Sequence, residues 1–168
     1  LDALKINNSP YTGFLYVGLM IINNEPYLIE YNVRMGDPEC QVIIPRLDTD
    51  IVKIFKSALK NKITKTKIKW KKNKCMTIVL CSKGYPKKYV KNKVITDLKK
   101  IKLKKNYFIF HAGTKYIDNK LVSAGGRVLN ITASGNAYKK LRSNIFKIIR
   151  KINWKGGFYR KDIGWRVI

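Results

Sequence analysis

Two β-prone runs joined by a short polar connection constrain the fold of the first half of the chain. Residues 11–22 are rich in aromatic and aliphatic side chains, residues 27–32 repeat that character, and Asn23-Asn24-Glu25-Pro26 lies between them. This pattern predicts an antiparallel β-hairpin. Because few polar residues interrupt the first run, we predict that its strand is buried.

The second strand of this hairpin carries polar side chains on one face. Side chains alternate across a strand, so Glu30 and Asn32 project from the same face, and Arg34 continues the spacing. A carboxylate and an amide oxygen can form half of the shell of a hard cation such as Mg²⁺, which takes its other oxygens from water and substrate phosphates. Arg34 adds a guanidinium fork suited to phosphate. From these residues alone, an exposed strand with solvated polar groups is an equally good interpretation.

Helices are predicted after the turn formed by Gly36-Asp37-Pro38-Glu39. Asp37 can cap the first of them, which should be interrupted around Pro45. Asp48 or Asp50 should cap the second, whose apolar stripe predicts core packing and contains Ile51, Ile54, Phe55, Ala58 and Leu59.

The composition changes between Lys60 and Lys74, where a Lys-rich segment without glycine separates two regions. We therefore predict two domains, residues 1–69 and residues 70–168. The second should contain several short strands and a final helix capped by Ser134 or Asn136. The predicted fold class is α+β, with an antiparallel sheet followed by a small, mostly β C-terminal domain that ends in a helix.

The net charge of +26 would by itself favour nucleic acid or an anionic membrane as a partner. The basic residues are mostly lysines, with only seven arginines, and they are scattered among Asn and Ile. Lys, Asn and Ile share A/T-rich codons, whereas the recognition of phosphates and bases favours arginine. We therefore attribute the charge to genome composition and expect no nucleic-acid partner.

Two further features bear on the cellular compartment. No apolar run reaches membrane-spanning length, so we expect no membrane partner. The three cysteines are odd in number and contain no CxxC pair. Reduced thiols in a cytoplasmic protein are the expected state.

Several sequence strings together resemble one enzyme family. The string EYNVRMGDPECQV at residues 30–42 closely resembles the signature of glycinamide ribonucleotide synthetase (phosphoribosylamine–glycine ligase), an ATP-grasp family of purine synthesis. The preceding run YTGFLYVGLM is also similar to that family. Further similar strings follow in the family's order, namely GYP at 84–86, HAGT at 111–114, GGRVL at 125–129 and YRKDIG at 159–164. The resemblance covers essentially the whole chain.

This resemblance implies a fold and a reaction. Residues 1–69 would be the C-terminal part of an ATP-grasp domain, and residues 70–168 the ligase C-terminal domain. The reaction would join glycine to 5-phosphoribosylamine through glycyl phosphate, with ATP as co-substrate and Mg²⁺ or Mn²⁺ as cofactor. Arg34 would be catalytic, Glu30 and Asn32 would bind the metal, and the substrate would be bound by Gly36, Asp37, Pro38 and Glu39.

An ATP-grasp ligase also needs an ATP-covering lid and a domain for the ribosyl substrate, for which 168 residues leave no room. We therefore expect the chain to be inactive alone and to require the missing N-terminal portion of the ligase. Two alternatives stay open. The chain could be one subunit of a split ligase, or a non-catalytic basic module that binds nucleic acid or supports assembly.

Overall fold

The computed structural model describes residues 1–168, which divide into two compact units. The first comprises residues 1–40 and 47–71, and the second comprises residues 41–46 and 72–168. The helices are α1 (Asp2–Ile6), α2 (Cys40–Arg46), α3 (Ile51–Leu59) and α4 (Tyr138–Ile149). The strands are β1 (Tyr16–Ile22), β2 (Glu25–Asn32), β3 (Lys74–Ser82), β4 (Tyr107–His111), β5 (Thr114–Ile117), β6 (Lys120–Ser123), β7 (Arg127–Gly135) and β8 (Gly157–Phe158). Every strand pairing is antiparallel, which confirms the predicted α+β class.

The predicted hairpin in the first unit is confirmed. Strands β1 and β2 pair from Ile22 opposite Glu25 down to Tyr16 opposite Asn32. The two connecting residues, Asn23 and Asn24, have φ angles of 50° and 65°. A two-residue hairpin turn with both residues in the left-handed region matches the right-handed twist of the strands, and asparagine tolerates that region well.

The prediction that the first strand is buried is wrong. Leu19 is 49% exposed and Ile21 is 59% exposed, while Ile29 on the partner strand is 62% exposed. The strand makes its extensive contacts with β2 alone. A sheet with apolar residues on both faces needs covering layers, and no helix of the first unit makes extensive contacts with this hairpin.

The two helices after the hairpin partly follow the predictions. Asp50 caps α3, because its Oδ1 accepts hydrogen bonds from the backbone N–H groups of Val52 (2.7 Å) and Lys53 (3.3 Å). The prediction that the apolar stripe of α3 packs in a core is wrong, because no residue of α3 is buried and Leu59 at the last turn is 76% exposed. Helix α2 contains Pro45 and ends one residue later, so the expected interruption coincides with the helix end.

The second unit contains a four-stranded sheet in the order β4-β7-β3-β8 and a separate β5-β6 hairpin. Helix α4 packs against β7 and β3. Strand β7 lies between two neighbouring strands, so its side chains are largely buried. Leu129 and Ile131 of β7 and Ile145 of α4 are completely inaccessible to solvent. This unit therefore has its own hydrophobic core. None of the helices in the structure is long and apolar enough to cross a membrane.

The predicted cap of α4 is wrong. The residue before the helix is Ala137, which makes no side-chain capping hydrogen bond. Ser134 is part of β7, where it pairs with Cys75. The strand continues to Gly135, and the chain needs Asn136 and Ala137 to turn into the helix, so neither predicted residue reaches the capping position.

Candidate metal and substrate site

The hairpin register gathers four residues on one face. Asn32 lies opposite Tyr16, and Glu30 lies opposite Gly18. Directly paired residues of an antiparallel sheet project from the same face. A Cβ atom at Gly18 would lie 3.2 Å from Cγ of Glu30, so the glycine leaves the space over which the Glu30 side chain lies.

Tyr16 connects the strand face to the following turn. Its hydroxyl donates a hydrogen bond of 3.2 Å to Oε1 of Glu39. The negative charge of Glu39 is the largest cause of a raised pKa of Tyr16, followed by partial burial, and the charge of Glu30 acts in the same direction. Two carboxylates therefore act on one phenol, which makes this region of the first unit attractive to a cation.

The turn after β2 holds Glu39 in place. Gly36 is buried, and a Cβ atom at this position would lie 2.8 Å from Cδ of Glu39 and 3.0 Å from Cε2 of Tyr16. The backbone N–H of Cys40 donates to the carbonyl oxygen of Gly36 over 2.9 Å. Because only glycine fits here without displacing its neighbours, Gly36 contributes to the position of Glu39. The adjacent Asp37-Pro38 peptide bond is cis.

Arg34 lies beyond the end of the strand and is exposed. Its Nη1 donates a hydrogen bond of 3.0 Å to the carbonyl oxygen of Met35. The structure thus brings together Glu30, Asn32 and Glu39 around Tyr16. The Arg34 guanidinium is instead hydrogen bonded to the backbone of the next residue, Met35. Tyr16 was missed by sequence reasoning, since its place opposite Asn32 depends on the hairpin register.

The oxygen donors of this face suit a hard cation but supply only part of a coordination shell. Glu30 offers an exposed carboxylate, and Asn32 offers a half-buried amide oxygen. Nowhere in residues 1–168 do three or more His, Cys, Asp or Glu side chains cluster as a complete metal site would require. Mg²⁺ commonly takes one or two protein ligands together with water and phosphate oxygens, so two ligands are an adequate contribution.

We predict that Glu39→Gln lowers the pKa of Tyr16 towards its ordinary value of 10.0. The glutamine removes the charge that opposes phenolate formation, so the phenol should lose its proton at lower pH. The measurement is a tyrosinate absorbance titration, with a Tyr16→Phe variant subtracted to isolate one of the ten tyrosines. Glu25→Gln at the far end of β2 is the matched control. A Tyr16 pKa that is equal in the wild-type and Glu39→Gln proteins would contradict this account of the site.

Two family models match separate parts of the chain. The one described as "Phosphoribosylglycinamide synthetase, C domain" matches residues 75–166. The one described as "Phosphoribosylglycinamide synthetase, ATP-grasp (A) domain" matches residues 1–40, which contain the site residues from Tyr16 to Glu39.

Curated relatives and a solved structure are similar over nearly the whole chain. The phosphoribosylamine–glycine ligase of Brucella melitensis is 41% identical over 95% of the chain and 38% of its own length. That of Caldanaerobacter subterraneus is 42% identical over 96% of the chain and 38% of its own length. The crystal structure of phosphoribosylamine–glycine ligase from Thermotoga maritima has a TM-score of 0.79 and 32% identity, covering 96% of this chain and 39% of that one. The chain therefore spans less than two fifths of these relatives.

Proposed function

The chain belongs to the phosphoribosylglycinamide synthetase family, and from this premise we propose that it is the C-terminal part of an ATP-dependent ligase that joins glycine to 5-phosphoribosylamine in the cytoplasm. Residues 1–69 would close an ATP-grasp domain, and residues 70–168 would form the C-terminal domain. The observation that carries the proposal is the shared face of Glu30, Asn32 and Tyr16 on a hairpin within the region matched by the ATP-grasp family model.

The proposed reaction has two steps. The carboxylate of glycine attacks the γ-phosphorus of ATP, which releases ADP and gives glycyl phosphate. The amine of 5-phosphoribosylamine then attacks the acyl carbon, so that the amide bond forms and phosphate leaves. A carboxylate and a triphosphate repel each other, so the site must supply positive charge at the transferred group.

Residues of the hairpin and turn have distinct roles in this proposal. Glu30 and Asn32 would hold Mg²⁺ or Mn²⁺, which when bound neutralises and aligns the phosphates of ATP. Arg34 would leave the carbonyl oxygen of Met35 and stabilise charge on the transferred phosphoryl group. Tyr16 would hold the Glu39 carboxylate in position through the hydrogen bond that its hydroxyl donates.

The turn from Gly36 to Glu39 is the proposed glycine-binding segment. Its two carboxylates, on Asp37 and Glu39, would attract the ammonium group of glycine or orient Arg34. Gly36 and Pro38 would shape the turn that presents them. Glu39 has one carboxylate oxygen, Oε1, bonded to Tyr16, and its second oxygen could accept from glycine at the same time.

The exposed hairpin supports the proposal that the chain requires the N-terminal portion of the ligase. Strands β1 and β2 expose apolar side chains on both faces, and an isolated two-stranded sheet is at best marginally stable in water. We propose that the N-terminal portion of the ligase covers this hairpin and completes the ATP site. That portion could be on the same polypeptide or, in a split ligase, on a second chain.

We predict that the 168-residue chain alone does not turn over glycine, 5-phosphoribosylamine and Mg-ATP, and that adding the N-terminal portion of the ligase restores activity. The test mixes or co-expresses the chain with the N-terminal part of the Caldanaerobacter ligase that it does not match, and follows ADP release that depends on glycine and phosphoribosylamine. That N-terminal part alone is the control. Turnover by the isolated chain would disprove the requirement. A stable assembly without turnover would disprove the ligase assignment.

A basic module that binds nucleic acid or supports assembly is the second candidate function. The observation that favours it is a set of exposed basic side chains on α4, a helix without acidic residues, and at its C-terminal end. They are Lys139, Lys140 and Lys147 of the helix and Arg150 at its C-cap. A filter-binding titration with DNA separates the two functions. Sequence-independent binding whose affinity falls steeply with salt would favour the module.

A further inference from the structure

Strand β4 lies at one edge of the four-stranded sheet and pairs with β7 alone. Its sequence, Tyr-Phe-Ile-Phe-His at residues 107–111, contains neither lysine nor proline, and its pairing with β7 has no bulge. Natural edge strands are usually protected from further pairing by charged residues, by proline or by a bulge. Because β4 has none of these, its outer edge is suited to the addition of another strand.

The hydrogen bonds to β7 show which backbone groups of β4 point away from the sheet. The N–H of Ser134 donates to the carbonyl oxygen of Asn106 over 2.9 Å, and the N–H of Ala112 donates to β7 over 3.0 Å. In an antiparallel pair, residues that bond to the neighbouring strand alternate with residues whose backbone groups point outward. The N–H and C=O groups of Ile109 and His111 therefore point outward. The chain supplies no hydrogen-bond partner for these four groups.

A cleft of about 570 Å³ borders the same part of β4, and we call it the edge cleft. Ile109 and His111, which share one face of the strand, both line it. Its other walls come from the segment 94–103 and from the β5-β6 hairpin. The apolar part of these walls consists of Val94, Ile95, Leu98, Ile101, Leu103 and Leu121.

An added strand beside β4 would direct alternate side chains towards the edge cleft. Directly paired residues project from the same face of a sheet, so the residues opposite Ile109 and His111 would lie on the side of the cleft. The remaining side chains would lie on the other face, next to Phe108 and Phe110, whose rings stack with centroids 5.7 Å apart. Free donors and acceptors that recur at every second residue match the repeat of an extended peptide.

The charges around the edge cleft favour an acidic partner. Three lysines line the cleft, Lys99, Lys100 and Lys120, together with a single acid, Asp97. Asp97 already forms an ion pair of 2.7 Å with Lys100, so the other two ammonium groups attract a further carboxylate. A second copy of the chain would bring its own charge of +26, which disfavours pairing between two β4 edges.

We propose that the outer edge of β4 binds an extended segment of a partner protein as an additional strand. The segment places apolar side chains in the edge cleft and carries acidic residues on both sides of them. In recognition by strand addition, main-chain hydrogen bonds supply affinity and pockets for alternate side chains supply specificity. This surface belongs to the second unit and shares no residue with the site proposed on the β1-β2 hairpin.

The test adds a synthetic peptide with blocked ends, Asp-Glu-Val-Thr-Val-Thr-Val-Glu-Asp, to the full 168-residue chain. Amide hydrogen exchange measured by NMR reports on the pairing itself, because a newly bonded N–H exchanges more slowly. We expect exchange at Ile109 and His111 to slow by about tenfold or more when the peptide is bound. A peptide of the same composition, scrambled so that its valines no longer alternate, should give no such protection.

The opposite edge of the sheet provides an internal control. Thr77 and Val79 of β3 pair with Thr132 and Asn130, whose backbone groups bond to β4. The same alternation therefore directs the N–H groups of Thr77 and Val79 away from β7, at an edge that does not border the edge cleft. Their exchange rates should not change when the peptide is added.

Two matched variants distinguish the edge cleft from general charge attraction. Leu103→Asp should weaken peptide binding about tenfold, because it replaces an apolar contact in the cleft with a charge that repels the acidic peptide. Val90→Asp makes the same change of charge outside the cleft and should leave binding unchanged. Leu103 and Val90 are 39% and 44% exposed, so both variants should fold.

Four outcomes would overturn the proposal. Equal protection at the two edges of the sheet, equal binding of the scrambled peptide, or an equal effect of the two variants would each show attraction by charge without strand addition. The fourth is protection of Ile109 and His111 by the N-terminal portion of the ligase in a manner that excludes the peptide. In that case the edge is covered inside the ligase and is not available to a partner protein.

Discussion

Replacing Glu30 with glutamine should lower the rate of ligation by about 10²–10³-fold in the ligase reassembled from this chain and its N-terminal portion. The substitution keeps the size of the side chain and its exposure on β2, so the hairpin itself should be preserved. It removes the negative charge that the proposed site offers to Mg²⁺ or Mn²⁺. The measurement is glycine-dependent ADP release over a range of Mg²⁺ concentrations, and the apparent Mg²⁺ requirement should rise together with the loss of rate.

The matched control for this variant is Glu25→Gln, at the first residue of the same strand. Glu25 is exposed and lies at the turn end of the hairpin, away from Asn32 and Tyr16. Its substitution should change the rate by no more than about twofold, as is usual for surface positions. If Glu30→Gln and Glu25→Gln behave alike, the strand face does not bind the metal and the assignment of Glu30 is wrong.

The family and the main elements were accessible from the sequence for physical reasons. The hairpin depends on a local signal, because two asparagines tolerate the left-handed turn between two β-prone runs. The Asp50 cap is equally local. The family resemblance is confirmed by the two matching family models, since a long ungapped string such as residues 30–42 carries more information than propensity does.

The position of Tyr16 could not be predicted, because it depends on an irregularity in the hairpin. The register shifts between Gly18 and Leu19, so Tyr16 lies opposite Asn32. In a hairpin without this irregularity, Tyr31 would pair with Tyr16. The Tyr16 side chain would then lie on the face opposite to that of Glu30. A bulge of one residue leaves no clear mark in composition. It nevertheless decides which side chains share the face of Glu30.

The exposure of the hairpin could not be predicted either. An apolar strand sequence indicates that burial would stabilise the strand, but it does not show whether other residues cover it. We predicted a buried strand because its side chains are mostly apolar. The structure exposes them because no helix of the first unit packs extensively against them. In the second unit, by contrast, β7 lies between two strands and packs against α4, so its apolar residues are buried.

This difference between the units leads to the second large effect. Ile131→Ala in β7 should reduce the free energy of unfolding of the second unit by about 2–5 kcal/mol. Ile131 is completely buried between its strand neighbours, Ile78 and Ile109, so the substitution leaves a cavity in the core. Urea unfolding followed by the fluorescence of the buried Trp154 measures the change.

Ile21→Ala is the matched control, since it removes the same atoms from a side chain that is 59% exposed on the hairpin. In the isolated chain it should change the free energy of unfolding by no more than about 0.5 kcal/mol. In the reassembled ligase the same substitution should weaken binding of the N-terminal portion, because Ile21 then lies in the proposed covered face. A large loss of stability in the isolated chain would mean that the hairpin is already packed. No effect on reassembly would mean that this face is not where the missing portion binds.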